Sequence, residues 1–293
     1  MLSLVDLRCY RAVRSLAAPG HVLWNARPFA LLAALLAVCG GGSAQVGLGL
    51  APMREELTLD PGAVHSGVLT LSNTSSNKLR AVAAMLDFYL DDTATPQFGP
   101  DYKQEAEFSC RTWLSANPME MELNGKAQLP VRYTLRVPPA TTARSYHCAI
   151  GFTTLPTAEE VKAIGLRTAV QIVAAIYVVV GKPALEGTVK DLRLEYVAGA
   201  KTPTWRAVVT IRNAGLLYFR PVGELDVLNA EGAVVETCHF VPLPVLPKRD
   251  QNFLFPLKLA GGPGKYTLRA RVDLGANEIQ EATALVVAAN PVP

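Results

Sequence analysis

The sequence predicts an all-β protein, two immunoglobulin-like β-sandwich domains in tandem behind an export signal. Three observations predict it. Short apolar runs recur roughly every 8–12 residues with turn chemistry between them, the spacing of a sandwich. The length of 293 residues suits two ordinary domains rather than one. Hydrophobic residues make up 50% of the chain and charged residues 18%, enough to build a core and too apolar for global disorder.

Residues 1–44 read as a signal peptide. Arg8, Arg11, Arg14 and Arg27 precede the uncharged apolar run Phe29–Cys39, and small residues (Gly42, Ala44) sit at −3 and −1 of a cut before Gln45. The run is shorter than the roughly 20 residues a bilayer span needs, so no membrane span is expected after cleavage. Leu36-Ala-Val-Cys39 offers a competing lipid-anchoring site at Cys39, although Val38 is larger than the residue such a site normally holds. The expected location is the periplasm or the cell surface. The chain carries 28 Lys and Arg against 25 Asp and Glu; without the four early arginines and Asp6, the remainder holds 24 of each. It has no cationic field for nucleic acid.

Beyond the signal the elements follow in order. Glu56–Leu59 stops at Asp60-Pro-Gly62, where proline fixes φ and glycine accepts a positive one. Val68–Leu71 runs to Ser72-Asn73, and Leu79–Tyr89 is a longer strand. Trp113-Leu114 opens another, Asn124-Gly125 is a hairpin signal, and Val131–Val137 alternates until Pro138-Pro139. Ser145–Phe152 is a strand, and Thr157–Ile164 suits one or two helical turns. Ala169–Val180 is rich in valine and isoleucine, which favour strand. Gly181-Lys-Pro183 then marks a boundary between a first domain, 45–182, and a second, 183–293.

In the second domain Trp205–Asn213 echoes Gly67–Asn73, each an apolar strand ending in asparagine. Val222–Leu228 and Ala233–Phe240 flank Asn229-Ala-Glu-Gly232, a type I turn with glycine in a bulge position. Lys265–Val272 and Ala282–Val287 complete the set. Tyr146 and Tyr266 stand where a tyrosine corner would pin a loop to its strand. Export favours a Cys110–Cys148 disulfide, closing a loop of about 39 residues and worth roughly 3–4 kcal/mol by loop entropy. Cys238 is then the odd thiol, a small buried hydrophobe.

Chemistry-bearing motifs are scarce. His147 and His239 each adjoin a cysteine, but neighbours on a strand point to opposite faces and cannot readily share an ion. The sequence has no Gly-x-Ser-x-Gly, His-Glu-x-x-His or phosphate-cradling glycine loop. Asp91-Asp92 and Glu159-Glu160 read as solvated loop pairs. Asn73-Thr-Ser75 fits a glycosylation sequon. The expectation is a non-enzyme with no metal and no cofactor.

The informative segment is Ala169–Val180, apolar on both faces where a sandwich strand needs one. A central strand, or one covered by the second domain, would account for that. So would an edge strand whose second face a partner covers by β-strand addition.

Leu50-Ala-Pro-Met-Arg-Glu-Glu-Leu57, Gly67–Asn73, Trp113-Leu114 and Gln171–Pro183 together resemble the PapD-like periplasmic pilus-assembly chaperones and related bacterial surface proteins, over roughly Leu50–Pro183. The resemblance implies two sandwiches that hold an incomplete subunit, the last strand of the first domain filling the subunit's missing one. It implies Arg54 as an anchor for the subunit's terminal carboxylate and Val170, Ile172, Ala174 and Ile176 as the donated row. A one-residue register error would exchange that row for the opposite face. Val178 stands where the family's second anchoring residue, a lysine, is expected. The partners expected are other secreted proteins or pilus subunits; the alternative is a structural or adhesive surface protein without chaperone activity.

Overall fold

The computed structural model describes residues 47–99, 103–156, 169–197, 204–259, 261–276 and 278–289. The signal peptide, the Cys39 site and the helical turns expected at 157–164 lie outside these residues.

Among the described residues seventeen strands build four sheets. In the first sandwich they are β1 (Leu48–Ala51), β2 (Arg54–Leu59), β3 (Val64–Asn73), β4 (Leu79–Leu90), β5 (Pro96–Gly99), β6 (Leu114–Asn117), β7 (Glu120–Leu123), β8 (Gln128–Arg136), β9 (Arg144–Leu155) and β10 (Gln171–Val180). One sheet runs β1-β3-β8-β6; the other runs β2-β10-β9-β4-β5, with β7 also on β4. The second sandwich comprises β11 (Gly187–Val197), β12 (Thr204–Asn213), β13 (Val222–Leu228), β14 (Val234–His239), β15 (Asp250–Leu257), β16 (Gly264–Asp273) and β17 (Gln280–Ala288). Its sheets run β11-β12-β15 and β14-β13-β16-β17. In the second, the first, second and fifth strands oppose the third, sixth and seventh, which is the immunoglobulin-like strand order; in the first, β1, β3 and β8 likewise oppose β4, β9 and β10.

Two-residue alternation drives the cores. Leu69 and Leu71 on β3 meet Val131, Tyr133 and Leu135 on β8 and Ile150 and Phe152 on β9, all fully buried. Tyr133 is accommodated because its cross-strand neighbour is Gly67, where a Cβ would lie 2.4 Å from the ring. In the second sandwich Val209 and Ile211, Leu225 and Val227, and Leu268 and Ala270 do the same.

Each sandwich uses the same two devices. Asn73 ends β3 and Asn213 ends β12, both almost wholly buried. Asn73 Nδ2 donates to the carbonyls of Asn77, Leu123 and Asn124, and its Oδ1 accepts from Ser75 N. Asn213 Nδ2 donates to Leu217 and Val245, and its Oδ1 accepts from Gly215 N. Tyr146 donates to Thr142 O at 3.0 Å and Tyr266 to Gly262 O at 2.7 Å, so both tyrosine corners are present. Cys110 and Cys148 form a disulfide, and half-buried Cys238 packs against the second core. Burial, then the nearby Glu236 charge, pushes the Cys238 thiol pKa upward.

Several local expectations are corrected. Asn124-Gly125 makes a turn but no hairpin: β7 pairs with β4 and β8 with β3 and β6, so the chain changes sheets there. Trp113 closes a 3-10 turn, Arg111–Trp113, and the strand starts one residue later. The Asn73 sequon is committed to the fold, because its amide nitrogen already serves three carbonyls in a buried site. The Asn229–Gly232 hairpin is as expected, with Gly232 at φ 80°. Strands β11 and β15 carry no clean signal: β11 mixes Lys190, Asp191, Arg193 and Glu195 into its run, and β15 contains Pro256.

Candidate functional site

Strand β10 has two unlike halves. Along its whole length one flank pairs antiparallel with β9, from Gln171↔Thr153 to Val180↔Arg144. On the other flank β2 pairs in parallel, but only from Ala175↔Arg54 to Val180↔Leu59. Among the described residues no strand pairs with Gln171–Ala174 on that side.

The alternation of the ladder identifies the open groups. Val170 O accepts from Thr154 N on the β9 side, and Ala175 N donates to Met53 O on the β2 side. Backbone groups change side at each residue, so Ile172 and Ala174 address β9 while the N–H and C=O of Gln171 and Val173 point to the open flank. Proline at 52, with no N–H, stands between β1 and β2, and the chain passes from one sheet to the other there.

The two faces of β10 are both occupied. Ala174, Ile176, Val178 and Val180 are fully buried in the core of the first sandwich, with half-buried Ile172 against them. Of the row expected for donation, Ala174 and Ile176 therefore spend their side chains on their own domain, while Val170 and Ile172 stay half-buried. The opposite face packs Tyr177, with Val173 and Ala175, into a separate apolar cluster with Leu86, Phe88, Ala149, Tyr218 and Leu246. Tyr218 and Leu246 come from the second sandwich, so that face is covered from within the chain.

Arg54 opens β2 opposite Ala175. Its side chain is 56% exposed, and its Nε lies 3.3 Å from Glu56 Oε1. The same oxygen accepts from Arg220 Nε of the second sandwich at 2.9 Å. Arg220 also donates from Nη1 to Pro242 O at 2.9 Å and lies 5.0 Å from the Tyr177 ring centroid, within cation–π range. Tyr177 meets Tyr218 at 5.0 Å and Phe88 at 5.5 Å between centroids. Burial, then the Glu56 charge, pushes the Tyr218 hydroxyl up to about 12; burial raises Tyr177 as well, against the pull of Arg220. Ser145 completes the junction: its N–H donates to Leu216 O and its Oγ accepts from Tyr218 N at 2.9 Å.

Glu56, Tyr177, Tyr218 and Arg220 carry no periodic signal; only the fold brings them together. A flanking charge is nonetheless legible at the covered half, where edge strand β2 carries Arg54, Glu55 and Glu56, a common guard against stray pairing. Among the described residues the open half of β10 has no such guard. Chemically, the arrangement can accept an extended backbone beside Gln171 and Val173. Among the described residues no group of three His, Cys, Asp or Glu is placed to hold a metal ion, and no helix is long and apolar enough to cross a membrane.

No protein-family model matches this chain, and no curated protein matches it. Solved structures similar to it include fimbrial chaperones. A chain from a chaperone–tip adhesin complex of CFA/I fimbriae is 12% identical with a TM-score of 0.43, covering 83% of this chain and 100% of that one. The class 5 fimbriae chaperone CfaA is 11% identical with a TM-score of 0.42, covering 82% and 99%. The Pseudomonas aeruginosa CupB2 chaperone is 14% identical with a TM-score of 0.38, covering 82% and 100%.

Proposed function

We propose that this protein is a periplasmic chaperone-like binder, without cofactor or catalysis, that takes extended apolar segments of secreted proteins such as incomplete pilus subunits by β-strand addition to β10. The observation that carries the reading is that, among the described residues, the flank at Gln171–Ala174 is unpaired on a strand otherwise fully laddered. Main-chain bonding there gives affinity and register. The side chains left to assist are Val170 and Ile172, and Arg54 stands at the inner end of the flank, exposed enough to meet an incoming chain terminus. In this reading the domains span 45–182 and 183–293, and the protein works after export, in the periplasm or at the cell surface.

The test is binding of a short synthetic peptide of alternating valine and threonine, followed by fluorescence anisotropy. Ile172→Asp is expected to abolish binding while circular dichroism stays native. Val170→Asp, just before the strand, serves where Ile172→Asp lowers stability. Unchanged binding in the folded variants would sink the proposal. The structural or adhesive alternative draws support from Ala175–Val180, which is paired on both flanks. It gains if neither variant alters binding.

A further inference from the structure

We propose that β2 is a displaceable strap over the downstream half of β10, and that Arg220 is the latch holding it, so that the second sandwich sets how much of β10 a partner can reach. The inference rests on the reading of β10 as a docking strand and concerns the regulation of that site.

The strap is lightly held by its own residues. It is six residues long, lies at the outer end of its sheet and, among the described residues, has β10 as its one strand neighbour. Its ladder is parallel, the slightly weaker kind. No residue of it is fully buried; Leu57 and Leu59 are half-buried against the core while Arg54, Glu56 and Thr58 are exposed.

Against that, Glu56 is bonded from the second sandwich. Arg220 joins Glu56 on the strap, Tyr177 on the strand beneath and Pro242 O in its own domain. Its side chain is 16% exposed, and its Nη2 is buried with no hydrogen-bond partner among the described residues. A buried donor left unsatisfied keeps the latch modest in strength and so releasable.

Release has a defined structural consequence. The Ala175 amide donates to Met53 O and the Gly181 amide to Leu59 O, so the two-residue period assigns the Tyr177 and Val179 amides to the same flank. With β2 lifted, the open edge grows from Gln171–Ala174 to the whole of Gln171–Val180. A longer partner segment would then compete with β2 for one set of backbone groups.

Native-state amide hydrogen exchange on the free protein tests this without any partner. In Arg220→Ala the Ala175, Tyr177 and Val179 amides are expected to exchange about tenfold faster, while Val208 and Leu268 in the second sandwich stay unchanged. Glu56→Gln keeps Arg220 on Tyr177 and decides the matter if Arg220→Ala loosens the whole junction; it should speed the same three amides. Equal exchange in wild type and Glu56→Gln overturns the latch. Faster exchange combined with no peptide binding by wild type would leave the strap standing and overturn the docking reading, so the two failures are distinguishable.

Discussion

Val173→Pro isolates the main chain of the open flank from its side chains. The Val173 N–H points away from β9, because the ladder bonds on that side belong to Val170, Ile172 and Ala174. Proline therefore removes one donor from the open flank and no bond from the β9–β10 ladder, a kind of sheet position that tolerates it. Val173 is half-buried on the apolar cluster beside the second sandwich, so the folded state should lose only about 1 kcal/mol of stability. Binding should suffer more. The flank offers the N–H and C=O groups of Gln171 and Val173, and a partner carbonyl left unsatisfied there costs about 1–3 kcal/mol. At 1.4 kcal/mol per decade the affinity should fall by roughly one to two orders of magnitude. The assay is titration of the alternating peptide against wild type, Val173→Pro and Val173→Ala, with denaturation curves for each. Val173→Ala keeps the amide and should bind within about fivefold of wild type, since net losses below about 1 kcal/mol move affinity no further. Equal affinity for Val173→Pro and Val173→Ala would refute main-chain docking.

Two further outcomes test the scaffold. Asn213→Ala removes a buried side chain bonded to Leu217 O, Val245 O and Gly215 N, leaving carbonyls unpaired; a loss of about 2–4 kcal/mol is expected in urea denaturation. Asn73→Ala should behave alike in the first sandwich, and a neutral result at either site would deny the shared device. Asp226 is buried, which alone would raise its pKa, yet Arg269, Thr237 and Arg271 hold it below its ordinary 3.8. The stability it supplies is fully present above that value and is lost as pH falls through the lower folded-state one. Asp226→Asn should therefore flatten the fall in stability measured between neutral pH and pH 3, and an unchanged slope would contradict the assignment.

Local chemistry carried much of the architecture. Alternation of apolar residues marked β3 and β8, because a strand shows its two faces every second residue wherever it ends up, and apolar runs marked β4, β9, β10 and β12. Turn residues marked Asn229–Gly232. Tyr146 and Tyr266 were legible because their partners lie only four residues back. The Cys110–Cys148 pair was legible because its sandwich contains no other cysteine among the described residues.

Pairing was another matter. Asn124-Gly125 has the residues of a hairpin, but its neighbouring strands find partners in different sheets, and partner choice is a long-range property. The candidate site shows the same division. Side-chain identity alone determined that Ala169–Val180 is a strand with apolar residues on both faces. Only the tertiary structure decided that Tyr218 and Leu246 cover one face, that β2 arrives from more than a hundred residues upstream to close one half of one flank, and that no described strand pairs with Gln171–Ala174 there. A side chain's preference for burial is written in its own chemistry, whereas a backbone hydrogen bond is the same for every residue and takes its meaning from whichever strand lies beside it.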